Sequence, residues 1–202
     1  MACALSHRKA WRALIDSGEN WLAVFEDDIH FGAGLAELLD ERWIGDGVQL
    51  VKLESHQDSA RIGAVALCEV GGRKLHRLLG GNLGTAGYLV SRRAAQPLLD
   101  LTEKMDFPLD SIMFGERCAF MLRTEVHQIV PAAVIQDMIL AHRTGRAVDI
   151  TTSMVRPAAE RRPFHLDAIW KLKKNLAKLF YFMNGLFAQA GPIAEPCFVP
   201  FE

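Results

Sequence analysis

The sequence predicts a mixed α/β domain in which helices pack on a sheet, and two observations carry this prediction. Short apolar runs rich in β-branched and aromatic residues, typical of strands, alternate with segments whose apolar residues recur at helical spacing. Half of the 202 residues are hydrophobic and 23% are charged, which is the composition of a globular chain with a substantial core. Alternating strands and helices favour a layered sheet flanked by helices.

The N-terminal part of the chain is expected to contain two helices and two strands. Ala2–Asp16 has apolar residues at helical spacing, and Gly18 after it is a natural C-terminal stop. Trp21–Phe25 is a short apolar run that predicts a buried strand, and three consecutive carboxylates follow it. Leu35–Trp43 predicts a second helix, and Val48–Leu53 predicts a second strand that again leads into an acid.

The middle of the chain predicts a hairpin and a further strand. Ile62–Val70 and Lys74–Leu79 flank Gly71-Gly72, and paired glycines permit the positive φ angles of a tight turn. The glycine-rich loop Gly80–Gly84 then leads into Thr85–Val90, another strand candidate.

Beyond this strand the chain predicts two helices and two extended segments. Ser91 is a candidate N-cap for a helix in which Pro97 either marks the start or introduces a kink. Phe107–Asp110 is typical of a turn into a short helix. Phe120–Val130 is strand-like, and Val134–Asp137 is a short extended piece.

The C-terminal part separates into a polar segment and a basic amphipathic helix. The helix candidate, His165–Phe187, has basic residues early and aromatic residues late. Such a helix can lie on an anionic membrane surface, or it can pack its apolar side on the domain and expose its lysines. Gly191–Glu202 contains three prolines and predicts a tail. The expected division is a domain over 1–141, a linker over 142–160, and the basic helix and tail over 161–202.

Composition argues against several classes of protein. The net charge of −1 gives no basic footprint for nucleic acid. Four cysteines are scattered without a closely spaced pair, so neither a disulfide framework nor a zinc site is expected, and a reducing compartment fits best. The N-terminus has charges where a signal peptide needs an apolar core, and no apolar run is long enough to span a membrane.

The acids Glu26, Asp27 and Asp28 directly follow the first predicted strand. In an open α/β sheet, ligands bind outside the carboxyl ends of the strands. Alternation along an extended segment puts Glu26 and Asp28 on one face and Asp27 on the other. Adjacent carboxylates repel unless a cation or hydrogen-bond donors offset their charge, and hard oxygen ligands suit Mg²⁺ or Mn²⁺. Spacing alone leaves a solvated acidic turn open as the alternative.

Five segments of the chain form an ordered set of motifs. They are Cys3-Ala4-Leu5-Ser6-His7 with Trp11, Val24-Phe25-Glu26-Asp27-Asp28, Gly84-Thr85-Ala86-Gly87-Tyr88-Leu89-Val90-Ser91, Pro108-Leu109-Asp110, and Pro131 through Gln136-Asp137. In its motifs and their order, this set resembles glycosyltransferase family 25, the group of bacterial lipooligosaccharide galactosyltransferases. No single motif is specific, but the ordered set is.

The resemblance implies a GT-A-like fold, a UDP-sugar donor, usually UDP-galactose, and a divalent cation, usually Mn²⁺. It implies inverting transfer of a hexose to a glycan acceptor of bacterial lipooligosaccharide or lipopolysaccharide. The expected location is the cytoplasm, with peripheral contact at the inner face of the cytoplasmic membrane.

On this resemblance, Glu26-Asp27-Asp28 is the counterpart of the DxD metal motif. Asp28 is the first choice for the direct metal ligand, with Glu26 and Asp27 contacting the metal or the donor. A metal held there would neutralise the charge that develops on the nucleotide diphosphate leaving group.

The resemblance also suggests further site residues. Asp110 is the candidate base for the acceptor hydroxyl, and the alternative is that it only caps a helix. Asp137 is the reserve candidate for the base or for a further metal contact, and the alternative is a surface acid. The residues expected near the donor, with structural roles as the alternative for His7 and Tyr88, are Ser6, His7, Thr85 and Tyr88.

Members of the family carry a strand–helix unit before the segment that begins at Cys3. The expectation is therefore an N-terminally truncated form of the fold with an incomplete site for the nucleotide base. Two other functions stay open. One is a non-catalytic remnant or interaction module of the same fold, and the other is a metal-dependent phosphohydrolase, for which the sequence shows no strong set of additional ligands.

Overall fold

The computed structural model describes residues 2–56, 59–116, 118–145 and 196–202. The helices in these ranges are α1 (Ala2–Ser17), α2 (Leu35–Leu38), α3 (Arg92–Leu101), α4 (Leu109–Phe114) and α5 (Asp137–Thr144). The strands are β1 (Trp21–Phe25), β2 (Ile29–Phe31), β3 (Leu50–Lys52), β4 (Ser59–Val70), β5 (Arg73–Leu78), β6 (Gly87–Ser91), β7 (Val126–Val130), β8 (Val134–Gln136) and β9 (Pro196–Phe198).

Seven of the described strands form one mixed sheet. Their order across it is β1-β6-β3-β7-β5-β4-β9, and β2 pairs with β8 in a separate two-stranded sheet. Among these strands, β3 and β7 are parallel, and the other neighbouring pairs are antiparallel. The prediction of a mixed α/β fold with helices flanking a sheet is confirmed.

The large sheet has an apolar layer on each face. On β6, Tyr88 and Val90 pack in one layer with Trp11 of α1 and Leu98 of α3, whereas Leu89 belongs to the other layer. This division follows from the pleat, because successive side chains of a strand point to opposite faces. Residues of α2 complete the second layer.

The carboxyl ends of β1 and β3 lie on either side of the start of β6, along the edge of the sheet that is formed by the ends of the strands. Phe25 pairs with Gly87, and Lys52 pairs with Tyr88, in two antiparallel ladders. Glu26 and the residues that follow Lys52 therefore emerge at the same edge, where the motif residues gather.

Several local predictions are confirmed. The α1 helix spans its predicted segment. Gly71 and Gly72 turn the β4–β5 hairpin with φ angles of 56° and 72°. The Ser91 hydroxyl accepts from the Ala94 backbone N–H as an N-cap, and α3 starts directly after it and continues through Pro97.

Other predicted elements are shorter than expected. The predicted helix Leu35–Trp43 is interrupted, because α2 ends at Leu38 and Asp40 caps a separate 3₁₀ turn by accepting from the Arg42 backbone N–H. The predicted strand Phe120–Val130 is limited to β7, because the backbone before it forms successive turns with itself. The β3 strand is likewise shorter than predicted.

Edge positions explain further differences. The β1 strand is half-buried rather than buried, because it lies at one edge of the sheet. Part of the predicted tail Gly191–Glu202 is instead β9, which pairs with β4 at the opposite edge. The Ser55 hydroxyl donates to the Val199 carbonyl and fixes the segment after β9.

Two further described elements, α5 and β2, have no counterpart in the sequence prediction. The extended piece Val134–Asp137 is β8 followed by the start of α5, which continues to Thr144 inside the predicted linker over 142–160. Its partner β2 was also not predicted. The rest of the predicted linker and the basic helix His165–Phe187 lie outside the described residues. Among the described helices, none is long and apolar enough to cross a membrane.

We predict that Gly72→Ala destabilises the protein by about 1–2 kcal/mol, because an L-residue is strained at a positive φ. An added Cβ would meet no atom of the described residues within 4 Å, so backbone strain is the cost that this substitution isolates. Gly45→Ala is the matched control, because its Cβ would likewise contact none of the residues that the structure describes, and its φ lies outside the positive range. We expect the control to change the free energy of unfolding by less than about 1 kcal/mol, in the stabilising direction. Urea denaturation compares the two variants, and equal effects would contradict the turn geometry.

Candidate functional site

The carboxylate of Glu26 is the centre of a hydrogen-bonded cluster at this edge of the sheet. Its backbone N–H donates to the Ala86 carbonyl at 3.0 Å, which fixes the residue directly after β1. Oε1 accepts from the Thr85 hydroxyl at 2.7 Å and from the Cys3 thiol at 3.6 Å. Oε2 accepts from the Gln136 amide at 3.3 Å. Donors from α1, from the loop before β6 and from β8 therefore converge on one carboxylate.

A buried chain of polar contacts joins Glu26 to the core. His7 Nε2 lies 3.5 Å from Glu26 Oε1, and His7 Nδ1 lies 2.7 Å from the Tyr88 hydroxyl. That hydroxyl also accepts from the Trp11 indole N–H at 3.0 Å. Tyr88 is fully buried, so it acts on the site through His7. The hydrogen bond from His7 is the main cause that lowers the pKa of Glu26 from 4.5, against the opposing effect of burial.

Asp27 and Asp28 follow Glu26 with the predicted alternation. Asp27 is exposed, whereas Glu26 and Asp28 are partly buried. Burial, and after it the charge of Glu26, raises the pKa of Asp28 above 3.8. Oδ1 of Asp28 is buried and has no hydrogen-bond partner among the described residues. A buried, unpaired carboxylate oxygen beside a second carboxylate fits a hard cation such as Mn²⁺ or Mg²⁺.

A buried lysine that was not among the predicted site residues lies at the same edge of the sheet. Lys52 is fully buried, and its Nζ donates to Glu54 Oε1 at 2.5 Å and to the carbonyls of Leu83 and Gly84 at 3.0 and 2.7 Å. Burial lowers the pKa of Lys52, and neighbouring acids oppose this shift, with Glu54 first among them. The available signal was a lysine inside an otherwise apolar strand.

Glu54 and His56 carry polar atoms that the described residues leave unpaired. Glu54 Oε2 and His56 Nε2 are buried, lie 3.8 Å apart and have no hydrogen-bond partner within the described ranges. Gly84 permits the close approach of the glycine-rich loop, because a Cβ there would lie 2.1 Å from His56 Nε2. Its φ of 102° independently favours glycine.

Asp110 lies in the first turn of α4 and is half-buried. Its Oδ1 accepts from the Ser111 backbone N–H at 2.7 Å. The N-cap position belongs to Pro108, so Asp110 is not the capping residue itself. Its charge acts on Lys52, which brings Asp110 into the electrostatic environment of the site.

Two other predicted site residues make their side-chain contacts outside the Glu26 cluster. Asp137 begins α5, and its carboxylate lies 2.8 Å from His30 Nε2. Its backbone N–H donates to the Asp28 carbonyl at 2.7 Å, so the start of α5 still adjoins the acidic segment. Ser6 is exposed, and its hydroxyl donates to the backbone of α1.

Comparison with known proteins identifies relatives of this chain. A family model described as glycosyltransferase family 25 (LPS biosynthesis protein) matches residues 1–113. A putative glycosyltransferase of Haemophilus influenzae is 30% identical over 143 residues, which are 69% of this chain and 49% of the relative. The lacto-N-neotetraose biosynthesis glycosyltransferase LgtB of Neisseria gonorrhoeae is 34% identical over 124 residues, with 56% and 44% coverage. LgtE of the same organism is 27% identical over 194 residues, with 88% and 67% coverage. The chain spans about half the length of the first two of these curated relatives.

We predict that Asp28→Asn stabilises the metal-free protein at neutral pH, because it removes a partly buried charge beside Glu26. A carboxyl whose folded pKa is raised destabilises the fold once it ionises, so the difference between variant and parent should appear as pH rises through and above 3.8. Below that pH both forms are neutral, and the difference should vanish. Solvent screening keeps the gain under about 1 kcal/mol.

Asp27→Asn is the matched control for this prediction, because Asp27 is the exposed neighbour. We expect it to change stability by less than about 0.5 kcal/mol. Thermal melts of the parent and both variants at neutral and acidic pH measure the effect. Destabilisation by Asp28→Asn at neutral pH would show that its charge is compensated in the metal-free fold.

Proposed function

This chain belongs to glycosyltransferase family 25, and from that membership we propose that it transfers a hexose from a UDP-sugar to a glycan acceptor. Galactose is the first candidate for the hexose, and bacterial lipooligosaccharide or lipopolysaccharide is the proposed acceptor. The names of LgtB and LgtE, which refer to lacto-N-neotetraose biosynthesis, and the family description, which refers to LPS biosynthesis, support a glycan acceptor of this class. The observation that carries the proposal is the buried Oδ1 of Asp28 beside Glu26 at the carboxyl end of β1, which has no hydrogen-bond partner in the part of the chain that the structure describes.

Asp28 is the proposed direct ligand of Mn²⁺ or Mg²⁺, and Glu26 and Asp27 are the proposed supporting acids. When bound, the cation would neutralise charge on the diphosphate leaving group. The chain's own contribution is to hold the acids in place. Thr85 and Gln136 donate to the two oxygens of Glu26, which fixes its carboxylate plane before any ligand arrives.

The donor would lie against the start of α1 and the loop before β6. Thr85 is buried with its hydroxyl directed at Glu26, and His7 is held by Tyr88, so both are preorganised beside the acids. Ser6 is exposed at the start of α1, where a diphosphate can reach it. In this proposal Tyr88 positions His7 and does not contact the donor.

Inverting transfer requires a single in-line displacement and a base that accepts the acceptor hydroxyl proton. Asp110 is the proposed base, because it is half-buried and its charge interacts with that of Lys52. Asp137 is the second candidate. Its pairing with His30 makes it the weaker choice, because the carboxylate must first give up that hydrogen bond.

We propose that the protein works in the cytoplasm at the inner face of the cytoplasmic membrane. The support is the composition of the segment over 161–187, in which lysines and arginines accompany tryptophan, phenylalanine and leucine. Basic, aromatic segments bind anionic lipid surfaces, where a lipid-anchored acceptor would be found.

We expect Mn²⁺ and UDP together to raise the melting temperature of the full chain, because ligands that bind the native state stabilise it. The gain is about 2.7 kcal/mol when the ligand is at roughly 100 times its Kd. Asp28→Asn should abolish the shift, and Asp46→Asn, a change of an exposed acid elsewhere, should leave it intact. A cooperative melt that ignores both ligands would favour a non-catalytic module of the same fold.

We expect Asp110→Asn to lower kcat for galactose transfer from UDP-galactose by about 10²–10⁴-fold with little change in the KM for the donor. The exposed Asp106→Asn is the control. If Asp137→Asn produces this loss and Asp110→Asn does not, the base is Asp137. The anomeric configuration of the product, determined by NMR, tests inversion.

A further inference from the structure

Sulfur, nitrogen and oxygen atoms from two elements converge beside the start of α1. Cys3 Sγ, a ring nitrogen of His7 and a carboxylate oxygen of Glu26 all lie within 4.8 Å of one another. We propose that these three residues bind a thiophilic divalent cation of the Zn²⁺ class, at a site that shares Glu26 with the proposed hard-oxygen site of Asp28 but does not include Asp28. The inference rests on this geometry and does not depend on the proposed sugar transfer.

Two of the distances between ligand atoms fit a tetrahedral ion. With metal–ligand bonds of about 2.0–2.3 Å, neighbouring ligand atoms of a tetrahedral site lie roughly 3.3–3.8 Å apart. Glu26 Oε1 lies 3.6 Å from Cys3 Sγ and 3.5 Å from His7 Nε2. Two of the three ligand pairs therefore already have the required separation, and the third pair, Cys3 Sγ and the His7 ring nitrogen, lies within 4.8 Å.

The ligands are held by a second set of contacts. His7 Nδ1 lies 2.7 Å from the Tyr88 hydroxyl, which fixes the ring and leaves Nε2 directed at Glu26. Ligating histidines almost always use their other nitrogen in this way. The Thr85 hydroxyl donates to Glu26 Oε1 and fixes the third ligand. Because His7 is buried and held on both sides, little side-chain entropy is lost when the ion binds.

The two sides of the Glu26 carboxylate separate this site from the Asp28 site. Oε1 faces Cys3, His7 and Thr85, whereas Oε2 accepts from Gln136, whose amide also faces Asp28. Ligand chemistry separates the two sites further. A thiolate and an imidazole favour Zn²⁺ or Co²⁺, whereas carboxylate oxygens alone favour Mn²⁺ or Mg²⁺.

The site is open to solvent on one side. Cys3 is exposed, so an ion can enter without unfolding α1. Three protein ligands with an open fourth position resemble the arrangement in which zinc keeps a water molecule or takes a ligand from solution.

Cobalt absorption tests the proposal without reference to enzymatic activity. The reduced, untagged full chain is titrated with Co²⁺ under anaerobic conditions. We expect a thiolate-to-cobalt charge-transfer band that saturates at an equimolar ratio, together with the intense visible bands of a tetrahedral ion. Zn²⁺ should abolish both, whereas Mn²⁺ in large excess should leave them unchanged.

Three variants test the thiolate ligand and the support of His7. Cys3→Ser should abolish the charge-transfer band, whereas Cys197→Ser, which changes a free thiol on β9 at the opposite edge of the sheet, should retain it. Tyr88→Phe removes the partner of His7 and should weaken Co²⁺ binding by about 10–100-fold.

Several outcomes would overturn the proposal. The absence of a charge-transfer band in the parent protein would do so whether or not any variant folds. A band that survives Cys3→Ser, or that disappears in a folded Cys197→Ser protein, would place the thiolate elsewhere. Displacement by Mn²⁺ as readily as by Zn²⁺ would mean that the ion occupies the carboxylate site.

Discussion

The Tyr88 hydroxyl is the contact on which the geometry of the site depends. A fully buried hydroxyl must be hydrogen-bonded, and here it accepts from Trp11 and contacts His7, both on α1. The face that α1 presents to the sheet is therefore restricted by polar pairing as well as by apolar packing. Cys3 precedes His7 by four residues, so both lie on the same helix face, towards Glu26. The hydrogen bonds of the Tyr88 hydroxyl in the core thus determine how Cys3 and His7 are arranged beside Glu26.

Lys52 places a fixed positive charge among acids that would otherwise repel one another. Glu54 pairs with it directly, and Asp110 and Glu26 interact with it at longer range. A buried pair of this kind contributes little net stability, because desolvation offsets most of the attraction. The pair instead affects the arrangement of the site, because the positive charge of Lys52 offsets the repulsion among the carboxylates that lie at this edge of the sheet. The pKa of Asp28 is raised, and its Oδ1 has no hydrogen-bond partner among the residues that the structure describes, whereas the pKa of Glu26 is lowered by its hydrogen bonds.

Local sequence signals predicted the parts of the fold that local chemistry determines. The α1 helix, the glycine turn of the hairpin and the Ser91 cap all follow from periodicity or from backbone requirements within a few residues. β2 and β9 are three residues long and show no periodicity, and they exist because distant partners pair with them. The start of α5 was hidden because the extended piece before it ends directly in the helix.

The same distinction between local and distant determinants applies to the residues of the candidate site. Alternation after β1 predicted that Glu26 and Asp28 share a face, since both belong to one extended segment. Cys3 and His7 lie on α1 and Glu26 follows β1, so no local pattern predicted that the three side chains meet. The scattered positions of the cysteines had argued against a zinc site. The sequence did contain a signal for Lys52, because a lysine inside an apolar strand needs hydrogen-bond partners once it is buried.

The contact between Ser55 and Val199 joins residues separated by 144 positions. During synthesis, the amino end of β4 therefore emerges from the ribosome long before the β9 segment that covers it. An unpaired strand edge can pair with another chain, and this edge is available for the whole interval. The exposed Val65 and Leu67 on the same strand add apolar surface to it. The edge therefore stays open while the ribosome translates the residues between β4 and β9, and slower elongation through that interval would lengthen the exposure.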